Sequence, residues 1–233
     1  MPVTLLTART EVRNLLDEAV AQFWSDAMIN SWINQGATDI ARQAQALWMQ
    51  TTITAVPLQQ SYQFPSDFLG VHRLDFMLEN SDQTYSLDYN GIKNMDEIWG
   101  ILHQLPAAYP NAFYIWNDTG GPASMNYFGT YPVVGAPGTF ILYYYRDAIW
   151  ATSDTQYVDV TPGYEDICYE YAIYKAKRRD RDSTWMEAKQ LYDIQLQQMF
   201  DKTRRFTDQG DHFANGAGAQ WPTYAYADDG MSW

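Results

Sequence analysis

Apolar positions recur at helical spacing near both ends of the chain and alternate in the middle. At the start, Leu5, Ala8, Val12, Leu15, Leu16 and Ala19 make one apolar face. The pattern breaks at Gln22-Phe23-Trp24, and Ser25 then stands as an N-cap with Asp26 just inside the next helix. The second stripe is longer, running through Ile29, Trp32, Ile33, Gly36, Ala37, Ile40, Ala41, Ala44, Leu47 and Trp48. Gly36 costs up to about 1 kcal/mol in a helix interior, which is repaid if a second helix packs closely there.

After Trp48 the period changes. Residues 50–56 alternate and are rich in Thr and β-branched side chains, as strands are. Further extended stretches are predicted at 61–64, 71–78, 84–89, 112–116, 125–131 and 139–146, with a short helix at 94–102. Asn90-Gly91, Gly120-Gly121-Pro122 and Pro137-Gly138 punctuate them as turns. The section reads as a small antiparallel sheet system.

Helical spacing returns after Thr161-Pro162, where Thr suits a cap and Pro the first helical position. Tyr164, Ile167, Cys168, Tyr171 and Ala172 form its stripe. A fourth helix is expected from about Ser183, with Thr184 and Glu187 at capping-box spacing and Trp185, Ala188, Leu191, Tyr192, Leu196 and Met199 along one side. From Thr207 onward no period survives; Gly, Ala, Asp and Asn alternate with Phe213, Trp221, Tyr224, Tyr226 and Trp233. That composition fits a disordered tail, whereas five large rings fit an arm that orders on a partner.

The expected fold class is therefore α+β. An antiparallel helical bundle, two N-terminal helices (1–49) and two C-terminal helices (161–206), is interrupted by a β-rich insertion (50–160) and followed by an extended C-terminal arm (207–233). With 233 residues, 46% hydrophobic and 16% aromatic, the chain can build a real core, and its rings suit cores and interfaces alike.

Charge narrows the function. The net charge of −13 argues against general binding to a phosphate backbone. Residues 1–174 carry 6 basic and 19 acidic side chains, residues 175–205 carry 9 basic and 5 acidic, and 206–233 carry four Asp and no Lys or Arg. The basic segment contains Lys175, Lys177, Arg178, Arg179 and Arg181. It reads either as a salt-bridged solvated helix face or as a docking surface for an acidic partner. No signal sequence opens the chain and no apolar run is long enough to span a membrane, so folding in a reducing cytoplasm is expected. Cys168, the one cysteine, falls on an inner helix face and reads as a buried hydrophobe.

Catalytic patterns are missing. His72, His103 and His212 have no partner at metal-ligand spacing, Gly216-Ala217-Gly218 is no dinucleotide loop, and Asp154 and Asp159 lack the oxygens of a calcium loop. The adjacent acids Asp17-Glu18 and Glu165-Asp166 read as solvated surface. No enzyme activity, metal or cofactor is expected.

An ordered series of segments carries a resemblance. It starts with Trp24-Ser25-Asp26, Ile29 and Ile33-Asn34-Gln35-Gly36-Ala37. Tyr62-Gln63-Phe64-Pro65-Ser66-Asp67-Phe68 follows, then Tyr143-Tyr144-Tyr145, Asp154, the stretch from Tyr157 to Pro162, Tyr164, Tyr171-Ala172 and Arg179-Asp180. Over residues 1–206 this order resembles the head-to-tail adaptor proteins of tailed bacteriophages. The resemblance implies a virion protein of the neck, assembled in the host cytoplasm as a ring of roughly twelve copies. Its partners would be copies of itself, the portal protein above and a tail nozzle or tube protein below, with DNA passing through unbound and no membrane involved. Residues 207–233 would dock on the portal through Phe213, Trp221, Tyr224, Tyr226 and Trp233. Lys175, Lys177, Arg178, Arg179 and Arg181 would serve subunit or portal contacts. The alternatives are another neck or tail subunit, a carbohydrate-binding or hydrolysing module, and a bacterial α+β protein with no assembly role.

Overall fold

The computed structural model describes residues 2–18, 23–91, 109–118 and 125–214. Among them are four helices and two sheets, so the chain is α+β. Helix α1 spans Leu5–Leu15 and α2 spans Asp26–Ala44. The Thr4 hydroxyl accepts from the Thr7 N–H at 3.3 Å, and Ser25 plays the expected cap on α2 by accepting from Met28 N–H at 3.4 Å. The stripe on α2 ends earlier than its spacing suggests. Gln45 takes a left-handed conformation (φ 48, ψ 39), and Trp48, expected on the helix, instead opens strand β1, Trp48–Ala55. A ladder to a distant strand outweighs one more helical turn there.

Strands β2 (Ser61–Gln63), β3 (Phe68–Leu78), β4 (Thr84–Ser86), β5 (Asp88–Tyr89), β6 (Ala112–Asp118), β7 (Met125–Tyr131) and β8 (Gly138–Arg146) follow. They form two four-stranded sheets, ordered β1-β8-β3-β4 and β2-β7-β6-β5. The first is antiparallel throughout, with Trp48 opposite Tyr145 and Ala55 opposite Gly138. The second departs from the expected all-antiparallel pattern, because β5 runs parallel to β6. The expected single strand at 84–89 is two. Leu87 is buried between them and donates its N–H to Leu74 O, so the chain passes from one sheet to the other. The short helix expected at 94–102 lies outside the described residues.

Between the sheets sits an aromatic core of Tyr62, Phe64, Phe76, Phe128, Phe140 and Tyr144 with aliphatic neighbours. The segment from Tyr62 to Phe68 turns out to be a structural staple. Tyr62 donates its hydroxyl to Val56 O at 3.0 Å, Phe64 stacks on Phe68 at 3.9 Å, and Asp67 accepts from the Tyr144 hydroxyl at 3.1 Å. Burial first, and then the Asp67 charge and hydrogen bond, push the Tyr144 phenol up to about 12.

Helices α3 (Glu165–Asp180) and α4 (Trp185–Ala214) close the described chain. Helix α4 starts close to where its sequence suggests, but α3 does not, and neither is capped as expected. Gly163 at φ +90 precludes a helix from Pro162, so Thr161 donates to Ala46 O at 3.3 Å instead of capping. At α4 the Asp182 carboxylate accepts from Thr184 N–H at 2.9 Å, in place of a Thr184–Glu187 box. Helix α4 also continues past Thr207 to Ala214. Adding residues to an existing helix is cheap, and Gly210 alone does not stop it. Residues 207–214, assigned to the extended arm, are therefore helical.

All four helices feed one apolar cluster, including Leu5, Val12, Ile29, Ile33, Cys168 and Met199. Gly36 behaves as its sequence position implied. A Cβ there would lie 3.1 Å from Tyr171 Cβ and 3.3 Å from Cys168 Cα, so glycine lets α2 approach α3. Cys168 is fully buried, and desolvation raises its thiol pKa.

Candidate interaction surfaces

The connection from β8 to α3, residues 147–164, has no regular structure yet is held at many points. Arg146 grips Asp159 with both guanidinium nitrogens, and Ile149 N–H donates to the same carboxylate at 2.8 Å. Burial pushes the Asp159 carboxyl up, but Arg146 and the Ile149 amide together outweigh it and hold it below the ordinary value. Arg9, buried on α1, forks onto Asp154 with two 2.9 Å bonds. Those bonds lower the Asp154 pKa and raise that of Arg9. The two acids that failed as a calcium loop are therefore arginine anchors.

Asn34, buried on α2, clamps the middle of the connection. Its amide nitrogen donates to Ala151 O and its oxygen accepts from Ala151 N–H, both at 2.9 Å. The N-terminal segment completes the hold, with Val158 N–H bonded to Val3 O at 2.9 Å and Leu5 N–H to Gln156 O at 2.8 Å.

This fixed backbone turns large apolar side chains outward. Ile149 is 64% exposed, Trp150 48% and Tyr157 59%. Trp150 donates its indole N–H to Thr38 Oγ1 at 3.0 Å and stands between two shallow grooves. One, of about 340 Å³, is lined by Thr38, Asp39, Arg42, Asp147 and Tyr171. The other, of about 380 Å³, is lined by Pro2, Ile149, Tyr157 and Val160. A ring standing between pockets on a rigid loop has the form of an interface anchor. Sequence reasoning missed it. The signal available was an apolar pair, Ile149-Trp150, in a loop flanked by Ser, Thr and Asp.

The basic residues singled out from the sequence sit at the end of α3. Lys175 lies over the rings of Tyr171 and Tyr174, at 5.0 and 5.6 Å. Arg178 donates to the Tyr174 hydroxyl at 2.7 Å and lies 5.8 Å from the Trp185 ring. Arg178 thus ties α3 to the start of α4, whereas Lys175 stays on rings of α3 itself. Arg179 and Arg181 are exposed, and Arg181 ends the helix in a left-handed conformation. Lys177 lies about 200° around the helix from Lys175, so the five cations do not form one patch. Phe213 lies on α4, while Trp221, Tyr224, Tyr226 and Trp233 lie outside the described residues. His72 packs edge-on against Trp48 at 4.3 Å on the sheet. Among the described residues, no group of three or more His, Cys, Asp or Glu is placed to hold a metal ion. No described helix is long and apolar enough to cross a membrane.

The helix–sheet–helix order and the staple from Tyr62 to Phe68 coincide with a family match: the model of the SU10 adaptor protein covers residues 3–221. The chain belongs to the SU10 adaptor protein family. The match runs past Thr207, where the resemblance read from the sequence stopped, and takes in the helical end of α4 together with Trp221. Membership makes this SU10 adaptor protein a structural component of a bacteriophage particle. It also favours a structural over a catalytic role. No curated protein matches this adaptor in sequence.

Proposed function

We propose that this adaptor forms a homo-oligomeric ring between the portal and the tail, and that the ring encloses part of the path taken by DNA. The observation that carries the reading is the family match over residues 3–221. By the same reading the ring holds roughly twelve copies, the portal lies above and a tail nozzle or tube protein below. The C-terminal segment, with Trp221, Tyr224, Tyr226 and Trp233 beyond the end of α4, docks on the portal. Arg179 and Arg181, free of the aromatic contacts that occupy Lys175 and Arg178, are the cations best placed for acidic partners. The net charge of −13 per copy suits a wall that repels the duplex, since every neutralised phosphate would add affinity and slow sliding.

The test mixes purified adaptor with its portal and weighs the product by light scattering. The expected result is a monomer alone and a ring-sized increment on the portal. A chain that stays monomeric with portal present refutes the reading. Micromolar binding of the isolated protein to duplex DNA at low salt refutes the repulsive-wall component.

A further inference from the structure

Among the described residues the two sheets end in four edge strands, and one of these is unlike the rest. Strands β4, β2 and β5 bound their sheets with three, three and two residues. Strand β1 bounds the first sheet with eight, Trp48–Ala55, in unbroken register with β8. It contains no charged residue, no proline and no glycine. Short length, charge, proline and bulges are the devices that keep a sheet edge from accepting another strand, and β1 carries none of them.

One bond sets the direction of its free backbone groups. Arg146 N–H donates to Leu47 O at 3.0 Å, so in this antiparallel ladder Met49, Thr51, Ile53 and Ala55 exchange bonds with β8. Trp48, Gln50, Thr52 and Thr54 therefore turn their N–H and C=O groups to the open side, where β1 has no neighbouring strand among the described residues. Trp48 and Met49 at one end of the edge, and Val56 and Leu58 just past the other, are exposed apolar side chains. Free donors and acceptors between exposed apolar groups fit an extended, uncharged segment rich in β-branched or aromatic residues.

A second copy fits this edge poorly. Two β1 strands laid together close as a two-fold pair and stop there, and the other described edges are too short to match eight residues. An eight-residue edge, about 27 Å long, covers roughly 300 Å² per partner, against roughly 800 Å² in a stable complex. Free copies therefore stay apart, and the added strand must belong to a partner that is held at further points. In the ring reading above the portal takes the C-terminal segment, which leaves β1 to the neighbour on the other side.

We propose that the tail-side protein supplies an extended, uncharged segment of at least about five residues, which adds to β1 as a fifth strand of the first sheet. This deepens the ring reading by naming the edge that meets the tail, and it rests on that reading.

The test follows backbone amide hydrogen exchange, residue by residue, in the full-length adaptor alone, on its portal, and on the portal with the purified tail nozzle or tube protein. Met49, Thr51 and Ile53 should exchange slowly throughout. Gln50, Thr52 and Thr54 should exchange fast until the tail-side protein is added, and then slow by at least about a hundredfold. Thr52→Pro removes a donor from the open side without breaking a bond to β8, and Thr52→Lys adds a charge there instead. Both variants should bind portal normally and lose at least about tenfold in affinity for the tail-side protein. Amides that stay fast in the full assembly overturn the proposal. Slowing already present on the portal alone overturns it too, since the portal or the next copy would then be the occupant. So does slowing in the free chain that disappears when residues 215–233 are removed, because the chain's own tail would then fill the edge. Light scattering of the unmodified adaptor with portal reads the ring function separately: a ring whose β1 amides stay fast after the tail-side protein is added sinks only the proposed edge.

Discussion

Replacing Asn34 with alanine strips the Ala151 peptide of both its partners at once. The side chain is buried, and its two 2.9 Å bonds satisfy the N–H and the C=O of one residue in a connection without regular structure. Each buried backbone group left unpaired costs about 1–3 kcal/mol, and a water admitted into the vacated space recovers part of that. The expected loss is about 3 kcal/mol. For a chain of this size that lowers Tm by about 6–12 °C. Urea titration followed by tryptophan fluorescence should show the midpoint falling with an unchanged slope, because the amount of surface exposed on unfolding is the same. Asn34→Asp keeps the acceptor for Ala151 N–H but turns a carboxylate towards Ala151 O, so it should recover little. A loss below about 1 kcal/mol for Asn34→Ala would show that the connection is held without this clamp, and the rigidity argued for Trp150 would fail.

Other sites test other parts of the structure. Gly138→Ala places a Cβ 2.6 Å from Met77 O and from Phe76 Cζ, and should cost about 1–3 kcal/mol or more by urea titration because a backbone atom cannot move aside. Asp154 and Asp159 have lowered pKa values in the fold, so their contribution is present above the unfolded value of about 4 and is lost as pH falls through the folded values. Asp159→Asn should therefore flatten the stability–pH curve below about pH 4, and an unchanged acid limb would contradict the Arg146 pairing. Cys168 should resist thiol reagents in the native protein and react at the rate of unfolding, measured by mass shift against urea. Truncation after Ala214 should leave Tm unchanged while abolishing portal association in sedimentation.

Where side-chain type and local period decide an outcome, the sequence sufficed. Ser25 capped α2, Gly36 marked the close approach of α2 and α3, and Cys168 went to the core. Most strands lay within a few residues of their expected positions, and the segment from Tyr62 to Phe68 pointed to the family before its contacts were known. Errors fell at boundaries. Thr161 and Thr184 had the right chemistry for caps, but the left-handed backbone of Gly163 and the Asp182 carboxylate took control.

Residue order by itself determined an α+β chain with helices at both ends, because burial period and capping chemistry are local properties of the sequence. Only the tertiary structure decided that 84–89 divides between two sheets and that β5 runs parallel to β6. It also turned Asp154 and Asp159 into arginine anchors and drew Asn34 onto Ala151, 117 positions away in sequence. Those outcomes depend on partners more than ten residues away in sequence. The exposure of Trp150 follows from them: its surroundings are built by α1, α2 and the N-terminal segment, and none of these is visible from its own neighbourhood.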